Sequence, residues 1–139
     1  MRDRAVLLGN LLADAVERRP LAVDLMLPVP LAPGRQRARG FNQSALIAAI
    51  VGQRLGVPVS AAILVRQRET AQQVGMSAAE RHTNMVGAFG CADRAHLRGA
   101  RVAIVDDVMT TGSTLAACAD ALRAAGAARI YGVVVARDL

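Results

Sequence analysis

The hydrophobic positions along this chain change period several times, and each change marks an element. Val6, Leu7, Leu11, Leu12, Ala15 and Val16 recur at helical three- and four-residue spacing until Pro20 stops the pattern. This helix reads as a docking element rather than a site. LAVDLMLPVP is a continuous apolar run that predicts a buried strand ending at Pro28 and Pro30, because proline has no N–H to give to a ladder. NQSALIAAIVGQRLG predicts a second helix, capped by Asn42 and ended by Gly56. VPVSAAILV supplies another strand or two, and RQRETAQQVG, polar and without period, reads as a mobile loop. Ser77 and Glu80 have capping-box spacing for a short helix through about Val86, after which GAFG pairs briefly before a turn at Gly99. RVAIVDD is a β-branched strand, a helix starts at Ser113 or Thr114 and stops at Gly126, and RIYGVVVAR is the last strand.

Strands alternating with helices predict an α/β fold with a mostly parallel central sheet flanked by helices, and a ligand at the carboxyl ends of the strands. The expectation is one domain over residues 1–139, with residues 1–20 as the docking helix and 21–139 as the core. With 53% hydrophobic and 20% charged residues the chain is no disordered segment, and its 139 residues suffice for a core without a metal or disulfide. Phe41, Phe89 and Tyr131 are too few aromatics for a nucleic-acid surface built on stacked bases. Cys91 and Cys118 form no CxxC, and His82 and His96 have no ligand-spaced partner, so no zinc site or disulfide framework follows. Both cysteines are expected buried or half-buried, and both histidines at the surface. The first twenty residues match neither a signal peptide nor a membrane span, which predicts a cytoplasmic protein with no membrane partner.

Charge adds one feature. The formal net charge is +6, and all seventeen basic residues are arginine, whose planar fork matches phosphate oxygens. A GC-rich genome would produce the same excess, so only the placement of particular arginines carries weight. Arg35, Arg37 and Arg39 crowd the strand-to-helix connection between Gly34 and Gly40, either as anion ligands or as a solvated basic loop.

The chemistry concentrates in AIVDDVMTTGST. Asp106 and Asp107 emerge at the end of a buried strand, and Thr110, Thr111, Gly112, Ser113 and Thr114 follow at a helix N-terminus. Such a turn offers backbone N–H groups and hydroxyls at the positive end of a helix dipole, which suits a phosphate. Two carboxylates cannot bind that phosphate, but they accept from vicinal hydroxyls and attract Mg²⁺. Together they describe a sugar-phosphate site. A nucleotidase reading lacks the G-x-x-x-x-G-K-[ST] loop, and a receiver domain would carry its acidic pair after the first strand.

The apolar strand, the Asp-Asp pair and the TTGST loop resemble the phosphoribosyl-pyrophosphate signature of type I phosphoribosyltransferases. PVPLAPGRQRARGFNQSAL and RQRETAQQVGMSAAERHTNMVGAF resemble, within that superfamily, the ComF family, which is associated with DNA uptake in competent bacteria. The resemblance covers Leu21 to Arg137 and implies the type I phosphoribosyltransferase fold. Family members commonly carry an N-terminal zinc ribbon; two isolated cysteines cannot build one, so a short form or a chain without that part is expected.

Carried onto this sequence, the resemblance implies that Asp106 and Asp107 hold the ribose 2- and 3-hydroxyls and meet Mg²⁺ through the bound ligand. Thr110 through Thr114 would wrap the 5-phosphate. Pro30 and Leu31 would meet pyrophosphate, with Arg35, Arg37 and Arg39 near the same anion. Arg66, Arg68, Thr70 and Gln73 fall in the catalytic-loop region, and Arg68 joins the aspartates as a catalytic candidate.

Displacement at ribose C1 passes through an oxocarbenium-like state, so neutralising the departing pyrophosphate, excluding water and orienting the acceptor are the protein's tasks. Three readings follow: a Mg²⁺-dependent transferase moving phosphoribose to an amine or base, an accessory protein of DNA uptake that keeps the ligand but not turnover, and a direct single-strand DNA binder. Relatives with this fold usually dimerise, so a homodimer is an expectation from resemblance alone.

Overall fold

The computed structural model describes residues 2–31, 42–67, 75–109 and 112–137. The elements run α1 (Arg2–Arg18), β1 (Leu25–Pro28), α2 (Gln43–Leu55), β2 (Leu64–Arg66), α3 (Ala78–Met85), β3 (Phe89–Cys91), a 3₁₀ turn (Arg94–His96), β4 (Arg101–Met109), α4 (Ser113–Ala124) and β5 (Arg129–Arg137). β1, β4 and β5 form a parallel sheet in that order, with Met26 opposite Ala103 and Ile104 opposite Gly132. β2 and β3 form a separate antiparallel pair, so GAFG does pair, and its partner is the end of AAILVR. The rest of VPVSAAILV contributes only a bridge from Val59 to Met26.

Side chains alternate across a strand, and β4 is apolar on both faces, so the sheet has a core on each side. Val102 and Ile104 join Leu27, Leu64, Met85, Phe89, Cys118 and Leu122 beneath α4 and the β2–β3 pair. Ala103 and Val105 join Met26, Ile47, Val51 and Leu12 beneath α1 and α2. Gly52 sets how closely α2 can lie on this face, because a Cβ there would overlap Val59 and the carbonyl oxygen of Val57. Among the described residues, no helix is long and apolar enough to cross a membrane.

Two local expectations change. α1 packs on α2 and β5, and its buried face is Ala5, Gly9, Leu12, Ala13 and Val16, while Val6, Leu7 and Leu11 are about half exposed. Small residues let the two helix backbones approach, with Gly9 seated against Ile50, so the large side chains that make the periodicity visible are not all the ones that pack. β4 also runs past the acidic pair to Met109, because β5 continues to Arg137 and keeps pairing with it, Val108 opposite Ala136 and Met109 opposite Arg137.

Candidate functional site

Asp106 and Asp107 occupy the carboxyl-terminal part of β4, just after the buried Val105. The start of α2 is brought against them. β1 continues its ladder past Pro28, with Val29 N–H donating to the Val105 carbonyl at 2.9 Å, and the Asn42 amide then donates to the Val29 carbonyl at 3.1 Å. The same Asn42 caps α2, its Oδ1 accepting from the N–H groups of Ser44 (3.0 Å) and Ala45 (3.4 Å). One residue therefore starts the helix and ties it to the sheet edge that bears the carboxylates.

The next two residues reach the acidic pair. Ser44 Oγ donates to Asp106 Oδ1 at 3.1 Å, and Gln43 Nε2 donates to Asp107 Oδ2 at 3.1 Å. The backbone N–H of Asp107 also donates to Asp106 Oδ1, at 2.9 Å. Burial, reinforced by the hydrogen bond and the charge of the adjacent Asp107 carboxyl, pushes Asp106 up from 3.8 to about 7, while the Asp107 N–H and Ser44 pull in the opposite direction. Desolvation and a like neighbour thus outweigh two donors. A site of this kind favours a visitor that supplies hydroxyl donors or positive charge to the pair.

Gln43 and Ser44 escape a sequence reading that stops at the helix cap. Their signal is an excess of polarity: Asn42 alone suffices to cap α2, yet two more polar residues follow it before the apolar face begins, and neither is needed by the helix itself.

The phosphate-loop residues divide. Gly112 lies at the N-cap of α4 with φ of 82°, a left-handed conformation that glycine adopts without strain, and its carbonyl accepts from Ala116 N–H at 2.8 Å to begin the helix. Ser113 opens α4 buried, and Thr114 is partly buried beside it. Thr110 and Thr111 lie outside the described residues. α4 presents its N-terminus only three residues beyond the end of β4, so the carboxylate pair and the glycine-led helix start belong to one end of the sheet. A cavity of about 220 Å³ adjoins this helix, lined by His82, Phe89, Ser113, Ala117 and Asp120 among others.

Of the residues expected at pyrophosphate, Pro30 and Leu31 are partly buried just beyond β1, at the same end of the sheet as Asp106. Arg66 ends β2, with its guanidinium carbon 5.1 Å from the centre of the Phe89 ring. It comes within electrostatic range of Cys118, which is itself in range of Asp106. Arg35, Arg37, Arg39, Arg68, Thr70 and Gln73 lie outside the described residues. Cys118 is fully buried and Cys91 half-buried, as expected; burial pushes both thiols up, so Cys118 behind the acidic pair is a wall of the core rather than a nucleophile. His82 and His96 are exposed, on α3 and in the 3₁₀ turn.

The carboxylates fit Mg²⁺ in one manner only. Their oxygens are the hard donors it prefers, yet among the described residues no group of three or more His, Cys, Asp or Glu could cage a metal ion. A cation here would keep its water and take its remaining ligands from a bound phosphate.

Comparison with known proteins agrees with this geometry. Residues 42–139 match the phosphoribosyl transferase domain family. The chain is 37% identical to competence protein F of Haemophilus influenzae over 131 residues, which is 93% of this chain and 57% of that protein. It is 36% identical to the DNA utilization protein YhgH of Salmonella typhimurium over 140 residues, 97% of this chain and 61% of the relative. It thus spans little more than half the length of these relatives. In fold it matches the allosteric regulatory enzyme of purine biosynthesis with a TM-score of 0.65 at 21% identity, covering 94% of this chain and 26% of the enzyme. It also matches the purine phosphoribosyltransferase of Pyrococcus horikoshii with a TM-score of 0.55 at 20% identity, over 98% of this chain and 72% of that one. The sheet order, the acidic pair and the glycine-led helix start therefore belong to a member of the phosphoribosyl transferase domain family, on its ComF branch.

Proposed function

We propose that the chain binds 5-phosphoribosyl-1-pyrophosphate with Mg²⁺ and transfers its phosphoribosyl group to an amine or base, working in the cytoplasm. The observation that carries this reading is the pair Asp106 and Asp107, held by Ser44 and Gln43 at the end of β4 that faces the start of α4. In this reading the carboxylates accept the two ribose hydroxyls and fix the sugar, while Gly112, Ser113 and the N–H groups of the first α4 turn take the 5-phosphate. When bound, Mg²⁺ supplies neutralisation of the pyrophosphate charge. Gln43 and Ser44 keep the carboxylate oxygens aimed at the sugar, and Arg66 contributes positive charge from the β2 side.

A second reading keeps the ligand and drops the turnover. It is favoured by the names of the relatives, a competence protein and a DNA utilization protein, and makes the chain an accessory of DNA uptake. The two separate in one pair of measurements. The transferase reading expects Mg²⁺-dependent heat of binding and pyrophosphate release above background with at least one member of a panel of bases and ammonia. Binding without release by any acceptor would leave the accessory reading; no binding at all would overturn both.

A further inference from the structure

The two edges of the parallel sheet are treated differently. The outer edge of β1 is closed by the segment after α2, where Met26 N–H donates to the Pro58 carbonyl at 2.9 Å and Ser60 N–H to the Met26 carbonyl at 3.2 Å. At the other side β5 is the last strand, and among the described residues no strand pairs with its outer edge. Both faces of β5 are occupied: Ile130 packs into the core beneath α4, and Val133 and Val135 into the core beneath α1 and α2. Among the described residues, what stays open is the row of backbone N–H and C=O groups directed away from β4.

Edge strands are ordinarily blunted by an internal charge, a proline or a short length. β5 has nine residues, and from Ile130 to Ala136 none is charged and none is proline. Its charges stand at the two ends, Arg129 and Arg137, both exposed and separated by roughly 26 Å of extended chain. α1 packs beside this strand, with its Leu8 against the core beneath α1 and α2, while Leu11 of the same helix is 53% exposed.

The charges decide what can pair here. A second copy added antiparallel about Val133 would set Arg129 against Arg137 at both ends, like against like, between chains that each carry +6. An acidic strand removes that conflict. A nucleic acid would satisfy the arginines but not the peptide ladder.

We propose that the outer edge of β5 takes an extended strand from an acidic partner protein, apolar in its middle and bearing Asp or Glu opposite Arg129 and Arg137. Backbone hydrogen bonds would supply the pairing and the two arginines its direction and selectivity.

Fluorescence anisotropy on the full chain tests this with a labelled nonapeptide of alternating Val and Thr ended by Glu, beside the same peptide ended by Lys. The Glu-ended peptide is expected to bind, more weakly in high salt, and to lose binding when alternate amides are N-methylated. R129E/R137E should weaken it about fivefold or more and improve the Lys-ended peptide. Equal binding of the two peptides, or undiminished binding after N-methylation on either register, would overturn the proposal without any variant having to fold. Binding of a single-stranded oligonucleotide in place of the peptide, or dissociation of a homodimer on adding unlabelled peptide, would overturn it as well by assigning the edge to DNA or to a second copy.

Discussion

At the amino end of β4, Arg101 clamps Asp24: its backbone N–H and Nε donate to Asp24 Oδ2 at 2.8 and 3.2 Å, and Nη2 donates to Oδ1 at 2.9 Å. At the carboxyl end of the same strand Asp106 has a second acid beside it and the neutral hydroxyl of Ser44 as a side-chain donor. The first carboxyl is about half exposed and is held down to about 2 by its hydrogen bonds to Arg101; the second is partly buried and is raised. Nothing in the fold requires the second arrangement, since an asparagine would accept the same bonds without a buried charge. A carboxyl kept where the folded chain gains least from it is best explained by what it does for a ligand.

The most severe way to break this contrast is to replace both acids at the carboxyl end. D106N/D107N should lower affinity for 5-phosphoribosyl-1-pyrophosphate with Mg²⁺ by about a hundredfold or more, since both acceptors lose their negative charge and one acceptor oxygen each becomes a donor. The same variant should melt no lower than the parent, because the amide at 106 still accepts from Ser44 and the Asp107 carboxyl no longer crowds it. Calorimetry and thermal melting read the two halves. A variant that binds unchanged would remove the acidic pair from the site, and one that unfolds would make the pair structural.

A sharper and smaller effect lies in the pH dependence of the ligand-free fold. The folded-state value of Asp106 is raised from 3.8 to about 7, so between those values the folded chain holds a proton that the unfolded chain has released. Stability on this account is greatest near the lower value and falls as pH rises through the window, levelling off above about 7. Urea midpoints measured across the range should show this decline in the parent and a flatter course in D106N. A midpoint that instead rises with pH, by an amount D106N abolishes, would mean Asp106 is stabilised as an anion, and the contrast between the two ends would disappear.

How much of this was legible in the sequence follows the range of each interaction. The strand RVAIVDD, the helix starts at Asn42 and Ser113 and the capping box at Ser77 are local patterns, and each forms where its residues stand. The acidic pair and Gly112 were legible for the same reason, one short segment carrying strand end, turn and helix start. Gln43 and Ser44 were not, because their role depends on a contact across more than sixty residues that only the docking of α2 on β4 creates. α1 shows the other limit: hydrophobic periodicity finds the helix but ranks Leu7 and Leu11 above Ala5 and Gly9, whereas close packing of two helices selects the small residues.

The smallest effect belongs to the amino end. Asp24 is lowered by its partner, so its contribution is present above its ordinary value of 3.8 and is lost as pH falls toward about 2, the reverse of the course expected of Asp106. Because the pair is exposed and solvent screens it, D24N should shift the urea midpoint at neutral pH by less than the Asp106 window does, and the difference from the parent should vanish as both are taken toward pH 2. Added salt should shrink the D24N effect more than that of Asp106, since screening acts most on an exposed ion pair and less on a partly buried carboxyl. If D24N instead proved as costly at neutral pH as any change at the other end, burial would not be what separates the two ends of β4, and the case for Asp106 as a ligand group would have to rest on binding alone.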